Sequence, residues 1–468
     1  MKKHGFVILI MALLLLAGVA IKCYYVSYTD TWERQHDVIS FGADEGHAAY
    51  IEYIRDNGHL PDFDPREKWA FFQPPLHHIV SGKTMDVAEA LGKDQKGIEE
   101  STQIPTCIYM ILIMFMSLYM FAKANGMLKI SYSNTASKVF TNGCITMLAI
   151  IAVHPMFTLL SGSINNDSLA LFLSVLALVI AVAWYENPGY ILTIILAVVI
   201  GLAMITKLTG GLVAVPIGIL MVMRFLGFSE KNKSNAPGKL TLKGRLVLFF
   251  KQYLLKAIVF GIIVFPLGLS FSIWNKVKWN MPINYIPPVG ENFSENITLF
   301  ERLFSLKTES VYTYLTTRGD AYDEYSIPLA LIKTSVFGEY NFSDVSRWMK
   351  PLTFIVFVSA VALILIALYA TIYMVFSKKS KLDIKWKIIL FGTWATYLLA
   401  YLYFAISHGN FSAQDFRYAA ICILCEGIFA GLYVDSVKNK KVKYIITFVA
   451  LIFAGASFMT YFLLGFKS

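Results

Sequence analysis

The sequence predicts an all-α polytopic membrane protein, with about eleven transmembrane helices and a large first outer loop that carries interfacial helices. Three observations predict it. Of 468 residues, 56% are hydrophobic and only 15% charged, where a soluble protein of this size carries about 25% charged residues; mean hydropathy is +0.58. Apolar stretches recur along the whole chain, each close to the ~20 residues that cross ~30 Å of hydrocarbon. The formal charge of +10 flanks these stretches on one predicted side. That is the positive-inside pattern, so the basic balance reports topology and not a nucleic-acid partner.

Met1-Lys2-Lys3 precedes an apolar run from Phe6 to about Val26. A signal peptide begins in the same way, but this run is long, continues through Tyr24-Tyr25 and lacks a small-residue cleavage site. It therefore reads as a retained first helix. A cytoplasmic N-terminus then puts the next loop outside. Further spans are expected at Pro105 to Ala122, Val139 to Leu160, Ser168 to Tyr185, Ile191 to Ile205, Leu212 to Phe228 and Tyr253 to Trp274. The last four are Pro351 to Phe376, Ile388 to Ser407, Tyr418 to Val434 and Tyr444 to Phe466.

Alternating sides leaves four basic groups in the cytoplasm. They are Lys123, Lys129 and Lys138; Lys231, Lys233, Lys239, Lys243 and Arg245; Lys378, Lys379, Lys381, Lys385 and Lys387; and Lys438, Lys440, Lys441 and Lys443. The short outer connections hold little beyond Lys207 and Arg417. The five cysteines all fall in or beside spans, with no disulfide framework or zinc spacing in the loops. Cys422-x-x-Cys425 reads as lipid- or core-facing.

Three units follow: a transmembrane module over 1–274 whose first outer loop covers 27–104, a second large outer loop over 275–350, and C-terminal transmembrane helices over 351–468. Both loops are long enough for lids or interfacial helices. The second has an amphipathic stretch, Ile327 to Phe337. Its Thr334 to Phe342 segment (TSVFGEYNF) is free to fold back toward a site, although its composition does not demand this.

Chemistry is expected in the first loop, which is too polar for lipid and fixed by a span at each end. It contains Asp37, Asp44, Glu45 and five of the 8 histidines: His36, His47, His59, His77 and His78. Helical spacing over Glu45 to Asn57 ends at Gly58, a natural C-terminal stop. Asp44 then stands at or beside the N-cap, where it can cap the helix, serve chemistry, or do both.

Asp44-Glu45-x-His47, the short helix, Gly58, Leu60-Pro61 and Gln73-Pro74-Pro75-Leu76 resemble the first outer loop of GT-C glycosyltransferases. Among these are the protein O-mannosyltransferases and lipid A aminoarabinose transferases. Looser likeness extends over the whole layout, through Ser163-Ile164-Asn165-Asn166-Asp167, Thr206-Lys207-Leu208-Thr209 and Asp415-Phe416-Arg417-Tyr418. Two departures stand out: Gln73 occupies a position where His or Lys is more usual, and a second acid, Asp37, lies nearer the first span.

The resemblance implies an enzyme of the plasma membrane with its site on the extracytoplasmic face. It would pass a sugar, a mannose-like hexose or similar, from a polyprenyl-phosphate donor to a lipid, glycan or protein hydroxyl, with inversion. An acid in the first loop acts as general base in that family; here Asp44 fits the register, with Asp37 as alternative and Glu45 to tune it. Arg417 and Lys207 are the candidates to hold the donor phosphate through charge-assisted hydrogen bonds, against plain snorkelling to the interface. His47, Gln73, His77, His78, Asn166 and Asp167 are candidates for substrate contact, although Asp167 could simply cap the fourth span. The histidines with Asp44 and Glu45 are of types that zinc or manganese accepts, but they match no standard spacing, so no cofactor is expected. Glu426, mid-span, sits nine residues from Arg417 and should bond a neighbouring helix instead of pairing with it. The rival class is a transporter or flippase for a lipid-linked or anionic substrate, with Glu426 and the loop histidines coupling protons.

Overall fold

The computed structural model describes residues 2–31, 39–126, 141–225, 244, 247, 250, 253–288, 290, 293, 296–308, 310–312, 317–318, 321–338, 340, 342 and 349–466. Asp37 and the basic residues Lys129, Lys138, Lys231, Lys233, Lys239, Lys243 and Arg245 lie outside them. Among the described residues, eight helices are long and apolar enough to cross a membrane, or ten if each of two bent pairs is one span. The protein is a multi-pass, all-α membrane protein; among the described residues, its extended structure is a two-residue ladder, Thr317–Arg318 against Ala321–Tyr322. The expected count of about eleven included Ile191 to Ile205, whose helix Tyr190–Thr206 has only 17 residues.

Each span forms where an apolar run lets the backbone satisfy its own polar groups, as hydrocarbon requires. In chain order these helices are α1 (Lys2–Tyr28), then, after the first loop, α5 (Gln103–Ala124). The first loop itself holds α2 (Gly46–Asn57), α3 (Leu76–Ala90) and α4 (Gln95–Glu100). Next come α6 (Asn142–Ile151), α7 (Pro155–Ser161), α8 (Asp167–Glu186), α9 (Tyr190–Thr206), α10 (Ala214–Phe225) and α11 (Leu254–Trp279). The second large loop holds α12 (Leu299–Phe304) and α13 (Ile327–Phe337). Four more close the bundle: α14 (Met349–Phe376), α15 (Ile384–Ser407), α16 (Ile421–Ser436) and α17 (Lys440–Leu464). Leu13, Leu16, Ile262, Ile372 and Phe448 on these spans are more than half exposed, the surface that lipid would cover.

Two expected spans are broken. Val139 to Leu160 becomes α6 and α7, bent by 48°, because Pro155 opens a new helix that His154 caps through Nδ1 to the Met156 N–H at 3.2 Å. With that N–H taken, the Ala152 carbonyl accepts from Lys22 Nζ at 2.6 Å instead. A lysine buried within the first span thus repairs the break in another. Tyr418 to Val434 begins inside the second of two 3-10 turns, Ser412–Gln414 and Phe416–Ala419, and this pair bends by 46° against α16.

Helices α6 and α16 cross at two glycines. A Cβ on Gly143 would stand 2.3 Å from the Gly431 carbonyl, and one on Gly431 would stand 2.6 Å from that of Gly143; small residues permit such close backbones in membranes. Asp435 reinforces the crossing by accepting from Asn125, Thr141 and the Gly143 N–H at 2.7, 2.7 and 3.0 Å. Glu186 pairs with Lys123 and Lys385 at 2.6 and 3.0 Å. These residues all fall on the end that alternation assigns to one side. The two long loops meet at the opposite end, where Arg66 donates to the Trp279 carbonyl at 2.9 Å and Phe72 packs on Tyr285.

There, α2 packs against α3 through Ala48, Ile51, Met85 and Ala88, in a cluster that also includes Ile98 and Ile164. Its other side stacks Tyr50 on Phe71 at 4.7 Å. Arg55 of α2 binds Asp86 at 3.1 Å, and also Glu89, on α3. Gly58 ends α2 with a left-handed φ of +71° and its N–H on the Ile54 carbonyl, as expected. The start differs: Glu45, extended, takes the N-cap position without a side-chain cap bond, and the chain turns at Gly46 with φ +97°, which glycine tolerates. Asp44 therefore does not cap this helix. The amphipathic reading of Ile327 to Phe337 also fails, since residues on every side of α13, from Leu329 and Ala330 to Lys333, Thr334 and Val336, are buried.

Candidate active site

The candidate residues occupy three places at this end of the bundle, and one of them gathers charge. Asp167 is the first residue of α8, with its N–H on the Asn165 side chain at 3.1 Å. Its carboxylate points away from the helix and takes Lys207 Nζ at 2.5 Å and Arg417 Nε at 3.7 Å. The simple capping role for Asp167 is thereby replaced: it joins two cations, Lys207 and Arg417, that are distant in the chain and that the spans bring to one end. Asp415 adds a second carboxylate, 3.9 Å from Arg417 Nε. Tyr418 lies under both cations, its ring 4.8 Å from Lys207 Nζ and 5.1 Å from Arg417 Cζ. Its hydroxyl accepts from Arg417 at 3.1 Å.

The local folding explains this convergence. Lys207 ends α9, with its N–H still on the Ala203 carbonyl. Arg417 sits in the 3-10 turn that Asp415 caps by accepting the Arg417 N–H at 2.8 Å. Side-chain exposures of 15% for Lys207 and 7% for Arg417 do not fit free snorkelling into water. An ammonium carries three donors, and Lys207 places one on Asp167, leaving capacity for an anion.

The first loop is fastened over this cluster. The Asn166 amide donates to Gln73 Oε1 at 2.7 Å and to the Thr206 carbonyl at 2.9 Å. Gln73, the departure from the family's usual residue, thus makes a neutral bond beside the cations, where a lysine would have added charge. His77 Nε2 donates to the Ile164 carbonyl at 2.7 Å. Burial pushes the His77 imidazole down to about 4, although the Ile164 bond and the Asp167 charge act against it. It is neutral at pH 7, with Nδ1 unprotonated by tautomer.

His47 and His78 form a separate pair, Nδ1 to Nε2 at 2.8 Å with parallel rings, and Tyr50 packs on His78. Burial also holds His78 well below its ordinary range, with the neighbouring His47 adding to the effect. Asp44 and Glu45 are exposed. Glu45 accepts from the Trp69 N–H at 3.2 Å; among the described residues, neither acid pairs with Lys207 or Arg417. Nor, among those residues, do three His, Cys, Asp or Glu side chains converge as a metal-binding set. Phe41, three residues before Asp44, packs in the same cluster as Ile164, which ties that part of the loop to the Ile164–Asp167 turn.

The bundle and loops together match solved structures. The chain aligns over 99% of its length, and 77% of the other, with ArnT from Cupriavidus metallidurans bound to undecaprenyl phosphate, at 12% identity and a TM-score of 0.53. It shares the fold of that structure. The archaeal oligosaccharyltransferase AglB from Archaeoglobus fulgidus, in complex with an inhibitory peptide and a dolichol-phosphate, aligns over 99% of this chain and 56% of its own, at 13% identity and a TM-score of 0.46. No family model and no curated protein sequence matches.

Within this fold, some of these partners could not have been read from sequence. Asp415 and Tyr418 belong to the Asp415-Phe416-Arg417-Tyr418 stretch, in which sequence alone assigns a role to Arg417 only. Lys22 and His154 were missed, though a lysine in an apolar run and a proline inside a span were both visible signals. Glu426 behaves as expected and accepts from Trp394 Nε1 of α15 at 2.8 Å. Cys422 and Cys425 are buried in the core.

Proposed function

We propose that this protein is a membrane glycosyltransferase that takes a sugar from a polyprenyl-phosphate donor and passes it to a hydroxyl acceptor at the extracytoplasmic face of the plasma membrane. The observation that carries the reading is the convergence of Lys207 and Arg417 on Asp167 at the end of the spans, under the first outer loop, in a GT-C fold. At headgroup depth, a lipid phosphate meets the ends of membrane helices. Lys207 and Arg417 stand there with fixed orientations, and Asp167, Asp415 and Tyr418 hold them in place. Asp44 is the proposed base for the acceptor hydroxyl and Asp37 the alternative, with Glu45 beside them. Attack in line with the departing phosphate would invert the anomeric carbon. Gln73, Asn166, His47, His77 and His78 would shape the sugar-binding wall, and a mannose-like hexose is the sugar we favour. The N-terminus would be cytoplasmic, by the lysine bias.

The rival transporter reading, in which Glu426 and the loop histidines couple protons, loses ground because Glu426 is bonded to Trp394 and His47, His77 and His78 are buried in hydrogen bonds within the loop and to the Ile164 carbonyl. Ligand stabilisation tests the donor site directly. Undecaprenyl phosphate at about 100 times its Kd should raise the stability of the purified protein by about 2.7 kcal/mol, seen as a higher melting temperature in detergent. Undecaprenol, which lacks the phosphate, should do much less. Equal shifts from both lipids would remove the headgroup site from the reading.

A further inference from the structure

We propose that Thr334, on the second outer segment, is a positioning residue for Arg417, and that α13 is the platform from which it acts. This rests on the reading of Arg417 as a ligand of the donor phosphate. Thr334 is fully buried. Its hydroxyl donates to the Ala330 carbonyl at 2.7 Å and accepts the Phe416 N–H at 2.9 Å. The next N–H, that of Arg417, is taken by Asp415 Oδ1 at 2.8 Å. Two successive N–H groups of the 3-10 turn are therefore fixed by side chains, one local and one from 82 residues earlier. Short 3-10 turns have poor internal hydrogen-bond geometry, so these external bonds determine where the turn sits and where the Arg417 guanidinium points.

The platform itself is pinned on several sides. Lys333 Nζ, fully buried, binds both oxygens of Glu324 at 2.8 and 2.6 Å. Ser326 caps α13 and donates to the Ser305 carbonyl at 2.5 Å. Tyr461 of α17 donates to the Val336 carbonyl at 2.7 Å. On the same segment, Arg302 reaches the Ala405 carbonyl at the end of α15. An arrangement pinned in this way transmits position, because the hydroxyl of Thr334 cannot drift relative to the bundle. It also gives the second outer segment a task beyond connecting two spans.

Binding of undecaprenyl phosphate to the full-length protein, measured in detergent, separates the possibilities. Thr334→Val keeps the shape but removes the acceptor, and should weaken binding about tenfold, the scale of one buried N–H left without a partner. Thr334→Ser keeps the hydroxyl and should bind within about twofold of wild type. In an Arg417→Ala background, Thr334→Val should add less than about twofold, because its effect travels through the guanidinium. Wild-type binding by Thr334→Val, with Arg417→Ala impaired, would overturn the positioning role alone. A full tenfold loss on top of Arg417→Ala would show a general structural effect and also overturn it, as would a tenfold loss in Thr334→Ser. Should Arg417→Ala bind as wild type does, the donor reading fails first and this proposal with it.

Discussion

Asp44→Asn should abolish sugar transfer while leaving folding and donor binding nearly intact. A general base contributes about 10²–10⁴-fold, and an amide of the same shape cannot accept the proton. The carboxylates inside the charge cluster are poor rivals: Asp167 and Asp415 already neutralise Lys207 and Arg417, and protonating either would loosen the cations that the donor needs. Asp44 is exposed, carries no cap bond, and follows Phe41, which packs with Ile164 beside the cluster. It is therefore open to an acceptor arriving from water. Asp37→Asn should lose less than about a hundredfold, the lower end for a base. Initial rates in purified enzyme, with melting temperatures as the folding control, check both. Full activity in Asp44→Asn with none in Asp37→Asn would reverse the assignment, and full activity in both would leave the mechanism without a base.

Arg417→Ala should weaken donor binding or turnover by about 1.5–3 kcal/mol, the range of a hydrogen bond to a charged group. Truncation also removes a partner from Asp167, which keeps Lys207 at 2.5 Å, so the carboxylate is not left uncompensated and the loss should appear in donor binding more than in stability. Arg417→Lys should recover only part, since a point charge replaces a planar fork. Unchanged kinetics in Arg417→Ala would mean that this side chain only anchors the helix end at the interface.

The spans were legible in the sequence because hydrocarbon imposes one rule on every segment: about twenty apolar residues with self-satisfied backbones. Where the rule bends, the sequence shows residue types without outcomes. Pro155 lies inside the span expected, unbroken, over Val139 to Leu160; the 48° bend and its repair by Lys22 depend on a different span. Asp44 looked like an N-cap because acids favour that place, but the turn at Gly46 moved the cap to Glu45. Lys207 and Arg417 were visible as rare outer cations. Their meeting at Asp167 was not, since it depends on how three spans pack. Thr334 gave no signal, because a buried threonine on an apparently amphipathic stretch is common and its acceptor role exists only once α13 is folded against the 3-10 turn.

Sealed right-side-out membrane vesicles containing the protein, supplied with polyprenyl phosphate bearing a radiolabelled sugar, test the central claim most directly. The account predicts that label moves to a hydroxyl-bearing acceptor fraction outside the vesicles, that unglycosylated polyprenyl phosphate accumulates in step, and that Asp44→Asn vesicles show neither. Label that crosses the membrane still attached to its polyprenyl phosphate, at equal rates in wild type and Asp44→Asn, would contradict it and make the protein a carrier.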